Sequence, residues 1–192
     1  MDTSLSALMG LLRQTLSDPR AAARQVMALP LPRSARWQAL ALVIVLSMLF
    51  GQAAVLLMAG QGPDALSVGL IQGAVLLALV YAVHFVGRLL GGRGAFEDGL
   101  ILIAWLQGVM VAVQIAQIVA LVILPPLTGL LGFLGMALFL WLLTNFVAEL
   151  HGFTSLGRVF GMILLTLFGV AILLAIALQI LGVQPPTGMT DV

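Results

Sequence analysis

Long apolar stretches without a charged side chain dominate the pattern of hydrophobic and polar positions along the chain. Five of them occur, at about residues 37–59, 65–87, 99–124, 128–148 and 159–182. A helix needs about 20 apolar residues, at about 1.5 Å of rise per residue, to cross the hydrocarbon core of a bilayer. The pattern therefore predicts an all-α integral membrane protein with five transmembrane helices within residues 36–183.

The residues on either side of this region have a different character. Residues 1–35 are mixed in polarity, and Asp18-Pro19 is typical of a helix N-cap followed by proline, so we predict two short helices there. The first helix has an apolar face, which favours a position along the membrane surface, with a frayed tail as the alternative. This face comprises Leu5, Leu8, Met9, Leu12 and Leu16. Residues 184–192 are predicted to form a flexible C-terminal tail.

The composition agrees with a membrane protein and excludes several kinds of site. Of the 192 residues, 62% are hydrophobic and 8% charged, and the mean hydropathy of +1.20 is too high for a soluble core of this size. The absence of cysteine excludes disulfide bonds, thiolate nucleophiles and cysteine-ligated metals. The absence of lysine excludes a P-loop for nucleotide phosphates. We therefore expect a protein that is not an enzyme, with no catalytic residues, no metal, no cofactor and no nucleic-acid partner.

The distribution of arginine predicts the orientation of the chain in the membrane. All eight basic residues lie before the first apolar stretch, between the second and third, or between the fourth and fifth. The positive-inside rule then places the N-terminus in the cytoplasm and, after five spans, the C-terminus outside. The arginines before the first stretch are also candidate contacts for anionic lipid headgroups. They are Arg13, Arg20, Arg24, Arg33 and Arg36.

The two loops on the same side carry most of the other charged residues and form a candidate cytoplasmic interaction surface. Its members are Arg88, Arg93, Glu97, Asp98, Glu149, His151 and Arg158. If the loops lie side by side, their carboxylates and imidazole converge, which is typical of a metal-dependent hydrolase. Ordinary interfacial polarity, with acids favourably placed at a helix N-terminus, is the simpler interpretation and the one that we prefer.

Uncharged polar residues lie inside the spans. Gln107, Gln114 and Gln117 share one face of the third span because their separations of seven and three residues return to a similar helical angle. With Gln72 and Asn145 they form a candidate polar intramembrane face, in which we expect Gln107 to pair with Asn145 and Gln72 with Gln117. Interhelical hydrogen bonds, worth about 0.6 kcal/mol each, are the preferred interpretation. The alternative is a polar path for a small solute, as in a small permease or transporter subunit.

Two further regularities concern helix packing. Residues 92–96 align with residues 152–156 at a spacing of 60, which indicates a parallel repeat of spans two and three in spans four and five, unless the similarity is by chance. Small residues also recur at close-packing intervals, and we expect them to bring helices together within the chain, with a homo-oligomer as the alternative. These pairs are Gly69 and Gly73, Gly87 and Gly91, Gly157 and Gly161, and Ala171 and Ala175.

Three segments resemble the Yip family of Ypt/Rab-interacting membrane proteins, which has prokaryotic members. They are Gly152-Phe153-Thr154 in the last loop, the stretch from Asp18-Pro19 to Leu29, and residues 92–104. The resemblance covers most of residues 15–182 and implies a protein of membrane organisation or trafficking that acts through partners. Eukaryotic relatives carry an Asp-Leu-Tyr-Gly-Pro motif before the first span, which this chain lacks, so Rab binding is not inferred.

These observations lead to one functional expectation. The chain is predicted to be a non-enzymatic, multi-pass protein of a bacterial inner membrane that organises membrane or protein partners through its cytoplasmic face. The lipid bilayer, other membrane proteins and a second copy of the chain are its expected partners.

Overall fold

The computed structural model describes residues 5–60, 62 and 64–180, and the regular structure of this part of the chain is α-helical. Seven helices occur in it: α1 (Leu5–Ser17), α2 (Pro19–Met27), α3 (Arg33–Ala59), α4 (Ala65–Leu89), α5 (Phe96–Ile123), α6 (Leu127–His151) and α7 (Leu156–Ile180). The predicted tail, residues 184–192, lies outside the described residues.

The five helices α3 to α7 are each long and apolar enough to cross a membrane, which confirms the predicted spans. They extend beyond the apolar stretches because polar and charged residues continue them at their ends. Thus α3 begins at Arg33 rather than near residue 37, and α5 begins at Phe96 rather than near residue 99. The side of the membrane on which each end lies stays a prediction.

The two short helices predicted before the first span are present as α1 and α2. Asp18 caps α2, since its carboxylate accepts a hydrogen bond from the N–H of Ala21 at 3.0 Å and proline follows it in the first turn. Helix α2 packs against α5 and α6, and Ala22, Ala23 and Val26 on its inner face are buried. Small side chains on this face allow the short helix to approach the two spans closely.

The protein core lies toward one end of the bundle. This end, called the charged end below, is where α3, α5 and α7 begin and where α4 and α6 end. Buried residues are concentrated in the first half of α5 and the second half of α6, at residues 99–106 and 142–148. The opposite halves of these helices expose large apolar side chains such as Val122 and Phe133. The closest packing is thus at the charged end, and lipid is the solvent of the remainder.

Helices α4 and α6 end in the same capping motif. After α4, Gly91 has a φ of 87°, and the N–H of the next residue donates to the carbonyl of Gly87 at 2.8 Å. After α6, Gly152 has a φ of 72°, and the N–H of the next residue donates to the carbonyl of Ala148 at 2.8 Å. A left-handed residue with this six-to-one hydrogen bond is a Schellman motif, which favours glycine. The two hairpins, α4–α5 and α6–α7, therefore share their turn geometry at nearly the spacing of the repeat indicated by the sequence.

Candidate functional site

Arginines of the N-terminal segment and acids of the two charged loops lie together at the charged end. Three ion pairs join them: Arg24 to Glu149 at 3.0 Å, Arg33 to Glu97 at 2.9 Å, and Arg36 to Asp98 at 2.8 Å. In addition, Nη2 of Arg20 donates to the carbonyl oxygen of Phe153 at 2.9 Å. The N-terminal segment is thus held against both loops. From the sequence, these arginines and acids are predicted to form separate surfaces, whereas in the structure they lie opposite each other.

The three ion pairs differ in their exposure to solvent. The side chain of Arg36 is 14% exposed, whereas that of Arg33 is 75% exposed. Arg36 also donates from Nε to the carbonyl of Leu31 at 3.4 Å, which fixes the direction of its guanidinium. Because exposed pairs are screened by water and salt, we expect the Arg36–Asp98 pair to contribute more than the other two.

His151, predicted as part of an exposed surface, is buried instead, with 3% of its surface exposed. Its Nδ1 accepts a hydrogen bond from the N–H of Gly94 at 3.3 Å, and its carbonyl accepts one from the N–H of Arg93 at 3.4 Å. The imidazole lies in a glycine pocket formed by Gly87, Gly92 and Gly94, where an added Cβ on any of the three would come within 3.0 Å of it. His151 therefore joins the two hairpins.

The alternative of a carboxylate and imidazole cluster for a metal gains no support from this arrangement. The three carboxylates face guanidinium groups, and the imidazole is enclosed by glycines. Within the described residues, no group of three histidines or acids is placed to hold a metal ion.

The other members of the predicted interaction surface are arginines on the outside of the bundle. Arg88, Arg93 and Arg158 are exposed, and none of them forms an ion pair with a described residue. Of the described acids at the charged end, three are paired with arginines and Asp18 caps α2, so this end presents unpaired positive charge to its surroundings.

An aromatic cluster around Phe96 supports the same end of the bundle. The Phe96 ring lies 4.9 Å from that of Tyr81 and 6.2 Å from that of Trp37, and the His84 ring meets it edge-on at 5.7 Å. These distances are typical of aromatic pairs that stabilise a fold. Phe96 is not among the functional residues predicted from the sequence. The feature of the sequence that could have indicated it is its position at the start of a span, beside two acids.

Helix α1 is attached to the bundle through Thr15, which is fully buried. The indole Nε1 of Trp105 donates to the Thr15 hydroxyl at 3.0 Å, and that hydroxyl donates to the carbonyl of Leu11 at 2.8 Å. Leu8, Met9 and Leu16 of the predicted apolar face remain exposed. Of the five arginines predicted to contact lipid headgroups, only Arg13 has no ion pair or hydrogen bond to a described residue, and headgroup binding stays a prediction.

The polar intramembrane face does not form the predicted pairs. Gln107 donates from Nε2 to the hydroxyl of Ser47 in α3 at 2.7 Å, and Asn145 donates to the carbonyl of Trp141 in its own helix at 2.8 Å. Within the described residues, no hydrogen bond joins Gln72 to Gln117. Sequence spacing places residues on a face but does not identify the facing helix, and α5 turns Gln107 toward α3.

A cavity of about 310 Å³ lies between α3, α5 and α6 in the half of the bundle away from the charged end. Gln114, Gln117 and Thr128 line it together with apolar residues. Oε1 of Gln114 and the hydroxyl of Thr128 are buried and have no hydrogen-bond partner in the structure. Buried polar atoms normally have partners, so this cavity suits water or a small polar group.

Asp64 is the only charged residue among those described at the opposite end of the bundle. Its carboxylate accepts hydrogen bonds from the backbone N–H of Ser67 at 2.8 Å and from the hydroxyl of the same residue at 2.9 Å, which caps α4. These hydrogen bonds, the backbone one first, lower the pKa of Asp64 below its usual value. Asp64 therefore has a structural role as a helix cap.

Comparison with known proteins gives one match. A family model described as the Yip1 domain matches residues 13–183, which is most of the chain. No curated protein and no solved structure has a significant match to it.

Proposed function

Because the chain belongs to the Yip1-domain family, we propose that it is a non-enzymatic, multi-pass membrane protein that gathers protein partners at its charged end. We take this end to be cytoplasmic, by the positive-inside rule, and the membrane to be a bacterial inner membrane. The surface for partners consists of the outer face of α2 and the adjacent α4–α5 loop.

The observation that carries this proposal is the attachment of α2 to the α6–α7 hairpin. Arg24 pairs with Glu149 of α6, while Arg20 bonds the backbone of the α6–α7 loop. The outer face of α2 is thereby presented in a fixed orientation, and Gln25 of this helix is exposed. A preformed surface lowers the ordering cost of binding, which suits a protein that acts through partners.

A photo-crosslinking experiment in native membranes tests this proposal. A crosslinking residue at position 25 should capture a defined protein, and the matched residue at position 67, at the opposite end, should not. The charge reversal Arg24→Glu should weaken the capture because it repels Glu149, and the added reversal Glu149→Arg should restore it. Equal capture from both positions, or capture indifferent to the reversal, would contradict the proposal.

A second candidate function, a small permease or transporter subunit, is favoured by the cavity at Gln114. Two buried polar atoms that line this cavity have no hydrogen-bond partner, and a small polar solute could bind to them. Gln114→Leu should then abolish uptake of that solute while leaving the thermal unfolding midpoint unchanged. A lowered midpoint without a change in uptake would assign Gln114 to packing.

A further inference from the structure

A long groove runs between α4 and α7 on the outside of the bundle. It has a volume of about 940 Å³, and its lining extends along α7 from Arg158 to Leu173. The fifteen steps from one residue to the next along this segment, at about 1.5 Å each, give a length of about 22 Å. One leaflet contributes about 15 Å of hydrocarbon, half of the bilayer core. The groove is thus long enough to receive an acyl chain.

Two glycines of α7 keep this groove open. Gly161 and Gly169 line it, and a Cβ added at either position would meet no atom within 4 Å. By contrast, Gly69 and Gly73 of α4 lie against side chains of α3, as expected for helix packing. Gly161 and Gly169 therefore do not bring described helices together, and the space beside them is open.

The groove has a polar mouth at the charged end. A second cavity, of about 320 Å³, shares Arg158 with the groove and is also lined by Thr154 and Ser155. The guanidinium of Arg158 forms no ion pair or hydrogen bond with a described residue. Ser155 accepts the backbone N–H of Arg158 at 3.5 Å, so its hydroxyl lies at the start of α7, the positive end of the helix. Thr154, Ser155 and Arg158 thus line one cavity.

From this arrangement we propose that the α4/α7 groove binds an anionic phospholipid, with an acyl chain beside Gly161 and Gly169 and the phosphate at Arg158. An arginine with adjacent hydroxyls is suited to a phosphodiester. A second copy of this chain would also cover an apolar groove, but among its described residues it offers no unengaged acid to neutralise Arg158. Of the described acids, three are paired with arginines and the other two, Asp18 and Asp64, cap helices.

Lipid retention by the purified full-length protein tests this inference. Native mass spectrometry is performed with phosphatidylglycerol and, separately, with zwitterionic phosphatidylcholine. We expect preferential retention of one phosphatidylglycerol, and Arg158→Gln should weaken it about five-fold, the change expected for one basic residue at a membrane surface. Arg158→Lys should keep most of the preference. Arg93→Gln, which removes one exposed charge outside the groove, should leave it unchanged.

A second set of variants tests the position of the acyl chain. Gly161→Leu and Gly169→Leu place a side chain in the groove at positions where an added Cβ meets no atom within 4 Å, so each should reduce retention of both lipids. Gly129→Leu, at an open position on α6 outside the groove, should not. Equal weakening by Arg93→Gln and Arg158→Gln, or normal retention by both groove-filling variants, would overturn the proposal. So would a dimer that the groove-filling variants dissociate, because the groove would then hold a second copy.

Discussion

At the scale of single residues, glycine at the charged end has a different role at different positions. Gly91 and Gly152 adopt positive φ and turn the chain at the ends of α4 and α6. Gly87, in contrast, provides space for the imidazole of His151. In the sequence, Gly87 and Gly91 are both small residues at a close-packing interval. Only the fold shows that Gly91 is needed for its backbone conformation and Gly87 for the space that it leaves.

Gly87→Ala should destabilise the protein because the added methyl group overlaps the His151 ring. Overpacking of this kind costs about 1–3 kcal/mol. A lowered midpoint of thermal unfolding in detergent would show it, and His151→Ala in the same chain should recover part of the loss. Gly129→Ala, where a Cβ meets nothing within 4 Å, is the matched control and should leave the midpoint unchanged.

The ion pairs should contribute to stability in order of burial. Breaking the Arg36–Asp98 pair should cost about 1.5–3 kcal/mol, as for hydrogen bonds to charged groups, whereas the exposed Arg33–Glu97 pair should be worth about 0.2–1 kcal/mol. Double-mutant cycles with Arg36→Gln and Asp98→Asn, and with Arg33→Gln and Glu97→Gln, measure the two couplings. Equal coupling energies would refute this order.

At the scale of elements, the lengths of the spans are predictable from the sequence because the bilayer imposes them. The attachment of α1 and α2 is less predictable. The amphipathic face of α1 indicates that it seeks an apolar surface, yet this pattern suits a membrane and a neighbouring span equally. Thr15 lies in the amphipathic pattern of α1 and Trp105 in the apolar pattern of α5. Neither pattern predicts that the two residues are in contact.

Thr15→Val should release α1 from α5, because valine keeps the shape of threonine but cannot accept the indole hydrogen bond. We expect trypsin to cleave after Arg13 faster than in the unchanged protein. Thr166→Val is the matched control, since the hydroxyl of Thr166 bonds the Met162 carbonyl of its own helix at 2.8 Å. Cleavage at the same rate in both variants would show that this bond does not hold α1 in place.

At the scale of the whole molecule, the sequence predicts the number of spans and the family, and the comparison and the helices bear both out. It does not predict where the core lies. Hydropathy is similar along the spans, whereas burial is concentrated at the charged end. There, contacts at His151 join the two hairpins, and contacts at Phe96 join α3 and α4 to α5. Within the spans, lipid and protein are equally apolar surroundings, so the pattern does not distinguish them.

The predicted orientation can be measured directly because the chain contains no cysteine. A single cysteine at position 93 should be labelled only by reagents that reach the cytoplasm, and one at position 64 only from the opposite side. Labelling of both positions from one side would contradict a membrane-spanning α4, the one helix between them, and reversed labelling would contradict the positive-inside assignment.

The ion pairs across the charged end also have a consequence for the time course of biosynthesis. Arg24 and Glu149 are 125 residues apart. At a translation rate of about 5–20 residues per second, Glu149 is therefore synthesised about 6 to 25 s after Arg24. During translation, Arg24, Arg33 and Arg36 are therefore still free cations, the state in which basic residues direct the insertion of a nascent chain. The same side chains first guide the ribosome-bound segment and later, once α5 and α6 have been made, attach it to the finished bundle.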